Sequence, residues 1–275
     1  MRLHNEDNKV KRKRKKIIKI LLVIILVLLL LVIINLIPTF YLKTNGMSVL
    51  EGKWVNVYYE NEDSAAKDVF EYADSETEKI ARKLGFSEKQ NVNIYIYDKQ
   101  STMQMKKYGI IGSLLGLDWY IGDNIKTNVI LTSPANPVQG HTYDSIKFAV
   151  LHEIVHAYIS VKNPKIQLWL TEGMALYLSN GDEFYREYID DYGIPSYKET
   201  KTRNPITFSN CGGYTFAHTY IEYLDVTYGW DKVIELIETE DYEKILDRSS
   251  KEIYDEWVSY LKNYPQQIII MCRRS

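Results

Sequence analysis

Two histidines and two glutamates in this 275-residue chain have the types and spacing of a hydrolytic metal centre. In AVLHEIVHAYI, His152 and His156 are four residues apart. On a helix they project from one face, one turn above the other, and two imidazoles can reach one ion at about 2.0–2.1 Å. Glu153 is rotated by about 100° from His152, so it misses the ion and faces the water beside it, where a general base is needed. Ala149, Val150, Ile154 and Val155 around these residues are apolar. The helix is therefore expected to be buried, where unpartnered polar side chains are costly and a bound metal removes the cost.

The pentapeptide H-E-x-x-H alone is a weak signal, arising by chance in about one chain in a hundred of ordinary length. A second segment, LWLTEGMALYLS, strengthens it, because fifteen residues separate His156 from Glu172. That interval lets one helix end near Asn163 and Pro164, a short loop turn, and an antiparallel helix return Glu172 to the level of the histidines as a third ligand. Three protein ligands leave a fourth position for water, as in a catalytic site. A fourth protein ligand, for which Cys211 in CGGY is available, would make the metal structural instead.

The elements that must position these residues follow from hydrophobic periodicity. Strands are expected at 53–60, at 91–98, where Val92, Ile94 and Ile96 alternate with Asn93, Tyr95 and Tyr97, and at 128–132. A helix is expected at 64–84, with Gly85 as its C′ residue. The stretch 108–124, with Gly109, Gly112, Gly116 and Gly122, reads as a loop or hairpin, either a flap over the cleft or turns between strands. Helices follow at about 143–161, 167–180, 182–192, 214–228, 231–239 and 250–263. The predicted class is α+β: a small mixed sheet packed on the active-site helix, then a mostly helical half. Strand 128–132 is the expected sheet edge with which an extended substrate backbone would pair.

HEIVH followed by WLTEGMA resembles the gluzincin metallopeptidases, especially the peptidase MA-like domains related to the aminopeptidase and thermolysin folds, whose second motif has the form W-L-x-E-G-x-A. The resemblance covers roughly residues 91–230. It implies a zincin-like fold, one Zn2+ held by His152, His156 and Glu172, and Glu153 as general base. It also implies a role for Tyr214, because GGYTFAHTYIEYLDVTYG is similar to the family segment in which a tyrosine opens a helix and points at the scissile carbonyl. His218, one turn on, reads as a packed or solvent-facing helix histidine. The interval between the second histidine and Glu172 is shorter than in aminopeptidase relatives, and no motif for holding a free amine is present, which argues against aminopeptidase activity. Leu176 stands where thermolysin-like enzymes carry an acidic residue that orients the ligands, so the orienter must come from elsewhere.

Ahead of this domain the chain reads IIKILLVIILVLLLLVIINLI over residues 17–37, long enough to span a hydrocarbon layer about 30 Å thick. Nine of the 34 Lys and Arg but only two of the 36 Asp and Glu fall in residues 1–19, so the tail is basic and the remainder acidic. An acidic body is a poor nucleic-acid binder, and the basic run before an apolar span is topogenic, holding the N-terminus in the cytoplasm. The expected organisation is a cytoplasmic tail (1–16), a signal-anchor helix (17–37), a stalk (38–52) and an extracytoplasmic peptidase domain (53–275). The chain has two cysteines, Cys211 and Cys272, too few for a disulfide framework, and two free thiols are favoured over a bond. The function expected is zinc-dependent hydrolysis of a peptide or protein substrate. The alternative is an inactive zincin-like module that binds a cell-surface partner, which gains nothing from a base at position 153.

Overall fold

The computed structural model describes residues 2–114, 116–117, 119–179 and 184–264, with the backbone alone for residues 2–11. The fold is α+β. Helix α1 (Arg2–Leu36) leads, followed by a 3₁₀ turn (Ile37–Phe40). Strands β1 (Ser48–Glu51) and β2 (Val55–Tyr59), helix α2 (Asp63–Lys83), strand β3 (Val92–Tyr97) and helix α3 (Gln100–Tyr108) come next. A second 3₁₀ turn (Ile110–Leu114) precedes β4 (Gly122–Ile125) and β5 (Asn128–Thr132). The helical half contains α4 (Tyr143–Lys162), α5 (Leu168–Leu178), α6 (Glu187–Tyr192), α7 (Tyr197–Thr200), α8 (Pro205–Asn210), α9 (Gly213–Tyr228), α10 (Trp230–Thr239), α11 (Tyr242–Leu246) and α12 (Ser250–Lys262).

The sheet order is β1-β2-β3-β5-β4. Its centre, β2-β3-β5, is parallel, and the outer strands β1 and β4 are antiparallel to their neighbours. One face, including Val57, Ile94, Ile96, Val129 and Leu131, packs with Val69 and Ile80 of α2 and Val150 and Ile154 of α4 in the main core. The opposite face carries Tyr58 and Tyr95, stacked at 5.0 Å, and is covered by a smaller cluster of Met47, Tyr97, Met103, Tyr120 and Ile130.

Three expectations are corrected. Strand 128–132 is not an edge: β5 lies between β3 and β4, so β4 takes that place. The stretch 108–124 contains the end of α3, a 3₁₀ turn and a strand. Residues 38–52 do not form a free stalk. Ser48–Glu51 pair with β2, Met47 is buried, and the Leu42 carbonyl accepts from the Tyr97 hydroxyl at 2.7 Å. The expected helix 182–192 begins only at Glu187 among the described residues, with 182 and 183 outside them. Cys272 also lies outside the described residues, and Cys211 is a partly buried free thiol.

The helices near the site are fixed at their ends. In α4, Thr142 accepts from the Ser145 amide at 3.1 Å while the Ser145 hydroxyl accepts from the Thr142 amide at 2.8 Å, a reciprocal cap that sets where the helix begins. The α4–α5 loop is tied down by Asn163 Nδ2 donating to the Ile237 carbonyl (3.0 Å) and the Gln167 amide donating to Glu240 (3.1 Å). Helix α5 then crosses α9 so closely that a Cβ on Gly173 would stand 2.5 Å from the Ala217 carbonyl oxygen. Any side chain there would push α9, and Tyr214 with it, away from Glu172.

Candidate metal centre

Helix α4 buries Ile146, Val150, Leu151, Ile154, Val155, Ala157, Tyr158 and Ile159, which leaves one strip of its surface for His152 and His156. Their Nε2 atoms come to 3.0 Å of one another. From α5, Glu172 brings Oε2 to 3.3 Å from His152 Nε2 and Oε1 to 3.5 Å from His156 Nε2. A tetrahedral ion with bonds of about 2.0–2.1 Å separates its ligands by about 3.3–3.4 Å, so the spacing matches three corners of such a shell. Glu172 Oε2 is buried without a hydrogen-bond partner, an expensive state for a carboxylate oxygen that a cation relieves. Among the described residues, this is the group of His, Cys, Asp and Glu side chains able to hold a metal ion. Cys211 stands outside it, its thiol donating to the Phe208 carbonyl, so among the described residues the group has three members and no fourth.

Sequence reading missed the orienter of these ligands. Thr171 Oγ1 lies 2.9 Å from His156 Nδ1. We assign the ring proton to Nδ1, donating to the hydroxyl, which leaves the Nε2 lone pair directed at the centre. Thr171 immediately precedes Glu172, so the WLTEG segment carries one member of the group able to hold a metal ion and the hydrogen-bond partner of another.

Burial alone would raise the Glu172 pKa. The two imidazoles beside it outweigh that and hold its carboxyl well below the ordinary carboxylate range, so it stays ionised. Glu153 behaves oppositely. It is 8% exposed, and burial, reinforced by Asp123 and Glu172 against the opposing charge of His152, pushes its carboxyl up to about 8. A cation held by the three ligands would pull it back down.

These residues line a cleft of about 390 Å³ together with Tyr108, Trp119, Tyr120, Gly122 and Tyr214. Tyr214 reaches it from the first turn of α9, its ring edge-on to Phe208 at 4.9 Å. Burial, then the charges of Glu172 and Glu153, raise its phenol, which therefore keeps its proton and remains a donor. His218 packs its ring toward Phe184 and is not part of the cleft lining.

The rim opposite α4 is β4. A Cβ on Gly122 would stand 3.2 Å from Glu153 Cγ, which measures how near the strand passes. The Thr132 amide donates to the Ile121 carbonyl at 2.9 Å, so by antiparallel alternation Asp123 also faces β5 while Gly122 and Asn124 turn their backbone groups outward. Lys107 Nζ donates to the Asn124 carbonyl (2.8 Å) and to Asp123 (2.7 Å), and the Asn124 amide donates to Asp123 (2.6 Å). Tyr120 donates its hydroxyl to the same carboxylate. The open edge is thus occupied at Asn124, and the Gly122 amide and carbonyl are what it still offers beside Glu153.

No protein-family model matches the chain, and no curated protein is similar enough to it to count as a relative.

Proposed function

We propose that the protein is a membrane-anchored zinc metallopeptidase with a zincin-like fold, its catalytic domain on the outer side of the membrane. The observation that carries the reading is the meeting of two Nε2 atoms 3.0 Å apart and an ionised carboxylate, with a buried glutamate next to them in one cleft. His152, His156 and Glu172 would hold the zinc, whose borderline-soft character suits imidazole and carboxylate together. Bound there, it supplies Lewis acidity, acidifying a water molecule and polarising a substrate carbonyl.

The remaining steps belong to the chain itself. The Glu153 carboxylate takes the proton of the attacking water and returns it to the departing amine nitrogen. Tyr214, a protonated phenol at the cleft wall, donates to the oxygen on which negative charge develops. The outward amide and carbonyl of Gly122 offer a substrate backbone two hydrogen bonds within reach of Glu153. A binding module needs none of this beyond the fold, and a buried base beside the ligands favours the enzyme.

The anchor reading rests on the stretch Arg12–Phe40, formed by most of α1 and the 3₁₀ turn after it, which is long and apolar enough to cross a membrane and whose aliphatic side chains from Ile17 to Ile34 are exposed. The bases before it set the N-terminus inside. Zinc content and hydrolysis of an unbiased peptide library, on the full chain in bilayer discs, test the reading. Wild type is expected to hold one zinc and cut. Glu153→Gln should keep the zinc and lose cutting by about 10²–10⁴-fold, and Glu172→Ala should lose affinity for zinc. Equal zinc in all three with no cleavage would overturn it.

A further inference from the structure

Asn35, on the last turn of α1, is bonded to the catalytic domain through both ends of its side-chain amide. Nδ2 donates to the Tyr108 carbonyl at 3.4 Å, and Oδ1 accepts from the Ile111 amide at 2.9 Å. Gly109, at φ +80°, lets the backbone pass so close that a Cβ there would lie 2.2 Å from the Asn35 carbonyl oxygen. The 3₁₀ turn Ile110–Leu114 is therefore seated directly against the end of the apolar helix. Asn35 is two residues before the end of the 17–37 run, about 3 Å along a helix axis, so the turn stands level with the final turn of the span.

The exposed side chains of the turn are apolar, and exposed aromatic residues stand before it at Phe40 and after it at Trp119. Ile110 is 45%, Ile111 52% and Leu114 79% exposed, and Phe40 and Trp119 are 76% and 51% exposed. In water such a cluster beside a span would be a liability. At the boundary between headgroups and acyl chains it is stable, the aliphatic side chains entering the apolar layer and the aromatic ones sitting at its edge.

We propose that the Ile110–Leu114 turn, with Phe40 and Trp119, is a lipid-contacting foot that embeds in the interface of the same bilayer that α1 spans. This rests on the reading of α1 as a span. It does not depend on the metal or on peptidase activity. Because Tyr108 and Trp119 also line the cleft, the foot sets the mouth of the cleft at the membrane surface.

The test uses the full chain in bilayer discs with Cys211→Ser and Cys272→Ser, carrying one environment-sensitive fluorophore at Leu114→Cys or, for comparison, at Val226→Cys on α9, where the native side chain is 72% exposed. The label at 114 is expected to be quenched several-fold more by nitroxide on the lipid acyl chains than the label at 226, and to be protected from iodide in the water. Equal iodide quenching at both positions, with none from lipid, would overturn the foot. Protection at 114 from both quenchers, relieved when each disc holds one chain, would overturn it in favour of a second copy covering the turn. Extraction of the full chain from membranes by alkaline carbonate would instead overturn the span, a failure separable from that of the foot.

Discussion

The floor of the cleft, made by α4, α5 and α9, and its rim, running from α3 to β4, satisfy their polar groups in different ways. On the floor, His152, Glu153, His156 and Glu172 lie among fully buried apolar side chains, and buried Glu172 Oε2 has only the His152 ring nitrogen, at 3.3 Å, beside it. On the rim, Lys107, Asp123, Tyr120 and the backbone of Asn124 answer one another at a partly exposed site. The floor gathers groups that could hold a metal ion, whereas the charged side chains of the rim are matched within the chain. Changes on the floor should therefore move metal affinity and stability, and changes on the rim should remain local.

The largest expected effect comes from the buried carboxyl of Glu153. With metal chelated, burial holds the Glu153 carboxyl in the folded state at about 8, above the ordinary value of 4.5. The folded state then binds the proton more tightly than the unfolded chain, so this contribution is fully present below about 4.5 and is lost as pH rises toward 8. Denaturant unfolding of the chelated protein should lose about 3 kcal/mol between about pH 5 and about pH 8 relative to Glu153→Gln. A parallel pH dependence in wild type and variant would show that the floor does not desolvate this carboxyl.

Gly173→Ala should come next. Although alanine favours helix, the added methyl meets the Ala217 carbonyl at 2.5 Å, and overpacking of this kind costs about 2 kcal/mol. Unfolding midpoint and metal content should fall together. A stabilised variant with unchanged metal would mean that α5 and α9 are less closely packed than described.

Thr171→Val keeps the shape and removes the acceptor for His156. Metal affinity should fall by about tenfold or more, read by competition with a chelator, while the unfolding midpoint of the chelated protein hardly moves. Lys107→Met, on the rim, gives the smallest change. An ion pair with this much solvent access is worth under about 1 kcal/mol, and metal affinity should be unaltered. Loss of metal in this variant would join rim and floor into one unit and break the comparison.

The two regions also differ in what their sequences reveal. Two of the floor's helices, α4 and α5, are apolar around His152, His156 and Glu172, so helix period, the i,i+4 histidines and the fifteen-residue return to Glu172 are all readable. Thr171 stands beside Glu172, but a hydroxyl has no periodic signature that marks it as the partner of His156. The rim gave little. Gln100–Tyr108 is polar on most faces and Gly122–Ile125 is half-buried at every position, so neither shows a clean period. Without β4 in view, β5 looked like the edge. Short α7 is announced only by a Ser196–Glu199 cap and α8 by Asn204 before Pro205, signals that weigh little against the surrounding turn-forming residues.

The packing of residues 38–52 onto the domain also fixes a length. Fifteen residues of free linker would give a root-mean-square reach of about 20 Å, letting the cleft wander through a shell of solvent around the end of α1. With that segment folded into β1 and Asn35 bonded to Tyr108 and Ile111, the tether has no slack. Whatever enters the cleft must come to one fixed altitude above the base of α1. Inserting a flexible spacer after Phe40 would then widen the band of heights at which a membrane-tethered peptide can be met.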